Sequence, residues 1–254
     1  MRSTLLLLAA LCCPLAFAEA VIEVQSHMFM RLPASGSVLQ LQRLEIADHG
    51  TLMIPPGLTE LHVDELRLGR DAQISIAPSA QAFRLQVRSG AIASGAQISA
   101  AGAAGTTLSP AVPGRTLTIR LQGVNTEQLL LDARGGRGAP GYAGLDGADG
   151  KPGGCAWGQS SAGHDGQDGT DGQPGAPGGQ VRLEVPADFP LERLQVRLEG
   201  GHGGPAGAPG NAGAGGAAKG CWIYSTRGAA AGAPGRAGQP GVAGTAGRLD
   251  VVRF

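Results

Sequence analysis

The chain has 254 residues, of which 44 are glycine and 17 proline, with 4% aromatic residues and 20 basic side chains against 20 acidic ones. With no net charge, the chain as a whole reads as neither a nucleic-acid binder nor a basic membrane peptide. Glycine and proline at this level ordinarily signal disorder, but here they recur with a period, which points to an ordered array.

Met1 to Ala18 reads as a secretory signal. Arg2 supplies the positive start, Leu5–Leu11 the apolar run, and Ala16-Phe17-Ala18 the small-x-small cleavage site. A lipoprotein site would need a small residue directly before Cys12 or Cys13, and Leu11 and Cys12 stand there instead. Both cysteines therefore leave with the signal, and Cys155 and Cys221 remain in an oxidising compartment. No later run approaches the ~18 apolar residues of a membrane span. The expected location is secreted or at the cell surface, with the periplasm as the alternative.

Residues 19–37 are expected to cap the fold, and residues 38–134 to form its coils. The apolar residues there alternate, and the alternation repeats. Leu39, Leu41, Leu44, Ile46, Leu52 and Ile54 fall on Leu61, Val63, Leu66, Leu68, Ile74 and Ile76, twenty-two residues on. Leu61-His62-Val63 returns as Leu85-Gln86-Val87, and Ala72-Gln73-Ile74-Ser75 as Ala96-Gln97-Ile98-Ser99, after twenty-four. A unit of this length with alternating apolar positions predicts a β-solenoid, in which each coil buries its apolar row by stacking on the next. Gly50, Gly69, Gly90 and Gly95 are expected at coil corners. Residues 101–113, rich in Ala, Gly and Pro, read as a loop or a stunted arm.

Four Gly-X-Y legs follow, at Gly138–Gly153, Gly163–Gly178, Gly201–Gly216 and Gly232–Gly247, each with six glycines at a strict period of three. That period predicts polyproline II geometry, three residues per turn with no internal hydrogen bonds, so another backbone can pack against the glycine edge. Each leg would span about 50 Å at ~3.1 Å per residue, and equal lengths favour two out-and-back arms lying side by side. Strands over 180–198 separate the arms: Leu117-x-Ile119-x-Leu121 with Leu129 and Leu131 recurs as Val181-x-Leu183-x-Val185 with Leu194 and Val196. Residues 248–254 form a last strand, in which Leu249, Val251 and Phe254 are expected to seal the final coil. The fold class is therefore all-β plus polyproline II, with residues 135–247 forming a four-leg bundle. Cys155 and Cys221 occupy the same place at the two turn-rounds, so side-by-side arms would pair them.

Over residues 135–247 the chain resembles the glycine-rich polyproline II bundles of snow flea antifreeze proteins and some phage tail-tip adhesins, and also secreted bacterial collagen-like proteins. The resemblance rests on the Gly period, the turn-backs within one chain and the cysteine pair. It implies a local conformation rather than an activity. The first arm departs from the antifreeze pattern by being charged, and the interrupted triplets depart from collagen.

The search for chemistry yields few candidates. Asp146 and Asp149 on the first leg, with Asp165, Asp168 and Asp171 on the second, stack carboxylates at ~9 Å intervals that could present oxygens to Ca²⁺. Solvation of the leg and pairing with Arg137 or Lys151 is the preferred reading. Histidines 49, 62, 164 and 202 are scattered and draw neither a zinc spacing nor a catalytic elbow. Asp64, Glu65, Arg67, Arg70 and Asp71 form the one dense charged stretch among the coils, and a solvated face is expected in place of a catalytic groove. Trp157, Trp222 and Tyr224 cluster beside the two cysteines, either as a plug around the disulfide or as aromatic contacts for a surface glycan or protein. The small, nearly uncharged face of the second arm (Ala206, Ala208, Asn211, Ala212, Ala214, Ala237, Val242, Ala243, Thr245 and Ala246) is expected to pack against the first arm or a partner. By resemblance, such a face could also bind ice. No enzyme activity and no cofactor is expected. The reading is a monomeric, exported structural or adhesive protein, with ice binding and a carbohydrate-active β-helix as alternatives.

Overall fold

The computed structural model describes residues 20–33, 36–155 and 158–254. The predicted signal, Met1 to Ala18, and Trp157 lie outside the described residues. Alternating apolar residues form the strands β1 (Val21–Val24), β2 (Phe29–Arg31), β3 (Val38–Ile46), β4 (Thr51–Ile54), β5 (Glu60–Leu68), β6 (Gln73–Ile76), β7 (Phe83–Ile92) and β8 (Ala96–Ser99). They continue as β9 (Leu117–Thr126), β10 (Leu129–Asp132), β11 (Val181–Val185), β12 (Leu194–Arg197), β13 (Lys219–Gly220), β14 (Ser225–Thr226) and β15 (Leu249–Arg253). A 3₁₀ turn at Leu191–Arg193 is the only helical piece among the described residues.

Two parallel sheets result. The first has the order β1-β3-β5-β7-β9-β11-β15 and the second β2-β4-β6-β8-β10-β12, so each coil gives one strand to each sheet until β15, which adds to the first alone. The repeat in the sequence is the register of the stack. Leu39, Leu61, Leu85, Ile119, Leu183 and Val251 align strand on strand in the first sheet. Leu52, Ile74, Ile98, Leu131 and Val196 do so in the second. These columns face each other across one core. Burying a Leu or Ile contributes roughly 1.5–3 kcal/mol, and in a solenoid that gain comes only when the next coil covers it.

The N-terminal segment is itself a coil: β1 pairs with β3 and β2 with β4, burying Val24 and Leu32. At the other end Leu249 and Val251 pack on the core, while Phe254 stays half-exposed with the Arg120 guanidinium 4.8 Å from its ring. Gly95 takes φ +75° at a corner where His27, His49 and Asp71 hold φ of 59°, 59° and 52°. Gly90, expected at a corner, lies inside β7, where a Cβ would stand 2.9 Å from the Leu66 carbonyl carbon.

The glycine-rich legs grow from this stack. The first and third legs follow β10 and β12 of the second sheet, and the second and fourth legs return into β11 and β15 of the first. Two layers of legs thus continue the two sheets. Within each layer neighbours are parallel: Gly141 and Gly144 N–H donate to the Pro205 and Ala208 carbonyls, and Gly169 and Gly172 to those of Arg236 and Gln239. Between layers they are antiparallel, with Gly207 N–H donating to the Thr170 carbonyl at 2.9 Å and Thr170 N–H to that of Tyr142. Residues 101–113 form a short version of the same device, in which Gly102 and Gly105 N–H donate to the Arg134 and Arg137 carbonyls.

Candidate contact site at the arm tips

The two arms turn round beside each other, and Cys155 and Cys221 are joined there, their Cα atoms 5.6 Å apart and 66 residues apart in sequence. In the second arm the turn is a small antiparallel hairpin, with Lys219 opposite Thr226 and Gly220 opposite Ser225. The Cys221 N–H donates to the Tyr224 carbonyl at 2.7 Å, which closes the turn around Trp222 and Ile223. The Tyr224 hydroxyl donates across the disulfide to the Cys155 carbonyl, and the Ser160 hydroxyl donates to the Arg227 carbonyl. Both bonds tie one tip to the other.

This geometry divides the aromatic residues. Tyr224, itself 48% exposed, is held at the staple by the bond from its hydroxyl to the Cys155 carbonyl. Trp222 is not: it is 103% exposed, and Ile223 beside it is 90% exposed. Next to them opens a cleft of about 650 Å³ lined by Gly154, Gln159, Ser160, Tyr224, Thr226 and Arg227. The tip also concentrates residue types that are otherwise absent. The only lysines of the chain, Lys151 and Lys219, and its only tryptophans all lie in the two turn-rounds or, for Lys151, in the last triplet before one. That clustering was visible in the sequence and marks the tip more sharply than aromatic content alone.

The aspartate ladder is explained by main-chain chemistry. Asp146 and Asp149 accept the N–H groups of Asn211 and Ala214 on the third leg, at 2.6 and 2.7 Å. Asp165, Asp168 and Asp171 accept those of Ala233, Arg236 and Gln239 on the fourth, each at 2.6 Å. The glycine after each aspartate donates its N–H to a carbonyl on the neighbouring leg, and the carboxylate accepts the N–H of that same residue. The carboxylates therefore join legs, and none pairs with Arg137 or Lys151 as expected. Among the described residues no group of three or more His, Cys, Asp or Glu is placed to hold a metal ion.

The charged stretch on the coils is a ladder across coils. Glu65 accepts from Arg43 at 2.8 Å and pairs with Arg67 at 2.6 Å, Asp64 lies 3.4 Å from Arg88, and Asp48 binds Arg70 at 2.9 Å. Hydrogen bonds from Arg67 and Arg43 hold the Glu65 carboxyl below its ordinary range, and those from Arg70 do the same for Asp48. His49 stacks on His27 at 4.8 Å, away from His62, His164 and His202. On the second arm the side chains of Ala208, Asn211, Ala214, Ala237, Val242, Ala243, Thr245 and Ala246 are exposed, while Ala206 and Ala212 are half-buried.

One interior residue escaped the sequence reading. Arg115, at the foot of the arms, is 1% exposed. Its guanidinium donates to the carbonyls of Leu58 and Gln81 at 2.7 Å, Ala77 at 3.3 Å and Pro56 at 3.4 Å. It also lies 5.3 Å from the Phe83 ring. Burial pushes its pKa down. Four carbonyls from two coil corners replace water and a counter-ion.

Among the described residues no helix is long and apolar enough to cross a membrane. No family model, no curated protein and no solved structure matches the chain.

Proposed function

We propose that the chain is an exported, non-catalytic attachment protein. In this reading a β-solenoid base carries two polyproline II hairpin arms, similar to collagen-like triplets but folded within one chain, and the stapled tips make the contact. Glycine at every third residue, together with inter-leg main-chain bonds in every triplet along the shaft, supports the polyproline II assignment. The observation that carries the functional reading is a disulfide-tied tip, at the end of a main-chain-bonded bundle, that leaves Trp222 and Ile223 in water. An apolar pair costs solvation unless it is covered by a partner, and exposed aromatics at loop ends commonly serve as anchors. The spread of Asp and Arg on the coils into matched pairs supports a structural base in place of a catalytic groove.

The test is attachment of the purified protein to cells and to immobilised surface glycans, comparing parent with a Trp222→Ser/Ile223→Ser variant. Loss of attachment with an unchanged circular dichroism spectrum is expected, and equal attachment would overturn the reading. Protease cleavage at the tips on intact source cells would support a surface location; protection until lysis would assign the protein to the periplasm. Ice binding is the second reading, favoured by the exposed small residues Ala237, Val242, Ala243, Thr245 and Ala246 on the fourth leg. Absence of thermal hysteresis in the purified protein would remove it.

A further inference from the structure

We infer that the tip engages a bilayer surface bearing anionic headgroups. The inference rests on the reading of the tip as the contact point and names its partner.

The side chains at the summit distinguish this partner from a sugar. Trp222 alone would suit a glycan, since an indole stacks on a pyranose face as readily as it sits at a membrane interface. Ile223 would not. It has neither ring nor polar atom, so it gains only by leaving water, and at 90% exposure it has that whole gain still to make. The two are consecutive at the summit of a closed hairpin, so both enter the same apolar layer together. An indole beside an aliphatic residue matches the boundary between headgroups and acyl chains.

The charge pattern supplies the second argument. Over residues 150–163 and 215–235 the chain carries Lys151, Lys219 and Arg227 and not one Asp or Glu, although the whole chain is neutral. Aspartates begin immediately behind, with Asp149 and Asp146 on the first leg and Asp165, Asp168 and Asp171 on the second. An anionic surface therefore attracts the tip and repels the shaft, which orients the arms end-on and brings Trp222 and Ile223 to the membrane first. The cleft beside the hairpin has Arg227 in its wall, where a headgroup phosphate would lie.

The test uses the exported chain with its disulfide intact and a Trp157→Phe change, so that Trp222 is the only indole. Vesicles are of phosphatidylcholine alone or with about 30% phosphatidylglycerol, a fraction that sets a strong negative surface potential. A blue shift of the indole emission and co-sedimentation with the anionic vesicles are expected, weakening in high salt. Ile223→Ser should weaken binding about tenfold or more. Lys219→Gln should weaken it about fivefold. Neither substitution disturbs a buried residue, and a mass shift on reduction confirms the staple in each variant. If the anionic vesicles produce neither shift nor sedimentation while tip-dependent attachment to cells or glycans persists, the lipid inference fails and the attachment reading stands. If the protein attaches to no surface at all, both fail.

Discussion

Substituting Gly207 by Ala tests the bundle most directly. Gly207 sits midway along the third leg, which is bonded to the other three. A Cβ there would overlap the Tyr142 carbonyl, lying 2.6 Å from its carbon, and would stand 2.9 Å from the Thr170 nitrogen. Ordinary C···O approach is about 3.3 Å or more, so the first and third legs must separate by about 1 Å. That displacement breaks the first-to-third bonds from Gly141 N–H to Pro205 and from Gly144 N–H to Ala208, and strains those from Gly207 N–H to Thr170 and from Gly238 N–H to Gly207. Two bonds at about 1 kcal/mol each, with overpacking strain of about 1–3 kcal/mol, give a loss of about 3–5 kcal/mol. The opposing gain from a stiffer unfolded chain is only about 0.4–1 kcal/mol. The assay is thermal unfolding by circular dichroism, where this loss should lower the midpoint by about 10–20 °C. Gly57→Ala is the control, because nothing lies within 4 Å of the added methyl. A Gly207→Ala midpoint equal to that of the control would refute the close-packed bundle.

Reduction of Cys155–Cys221 should destabilise the arms by about 4 kcal/mol, from the loop entropy of a 66-residue closure, with denaturant titrations of oxidised and reduced protein as the readout. Arg115→Met should cost about 3 kcal/mol, because it leaves the buried Leu58 carbonyl without its donor and removes the bond to the Gln81 carbonyl. Arg115→Lys should recover only part of that loss, since an ammonium cannot span four carbonyls in one plane. Acid should weaken the base. Asp48 and Glu65 have native pKa values below their ordinary 3.8 and 4.5, so their contribution is complete above those values and is lost as pH falls from them toward the native pKa. Asp48→Asn and Glu65→Gln should each flatten the acid limb of the stability profile, and an unchanged limb would show that these exposed pairs contribute nothing.

The coil register was legible because the side-chain period of two and the coil length of 22–24 residues are both one-dimensional signals. Leu39 lies on Leu61 and Leu61 on Leu85 as their spacing required. The legs were legible for the same reason, since glycine at every third position is a steric requirement written directly in the chain. What could not be read depends on partners distant in sequence. The Asp168 carboxylate looked like a solvated or metal-binding group because its actual partner, the Arg236 N–H, is 68 residues away and is a main-chain group every residue possesses. Arg115 carried no signal, because its partners are carbonyls of corner residues rather than a carboxylate. Trp222 had two readings on aromatic character alone, and only the closed hairpin turns it outward while keeping Tyr224 on the staple.

A strictly periodic leg has a symmetry that a folding chain must break. Sliding any leg by one triplet restores the same glycine-to-carbonyl pairing, so the repeats by themselves define a family of equivalent alignments. The aspartates reduce that ambiguity along part of the length, and two fixed points remove the rest. At the foot, β10 and β12 anchor the outgoing legs, and β11 and β15 anchor the returning ones; at the summit, Cys155–Cys221 joins the two turn-rounds. Pinned at both ends, the bundle behaves as a ruler with a single zero, and opening the disulfide would leave its register set from the foot alone.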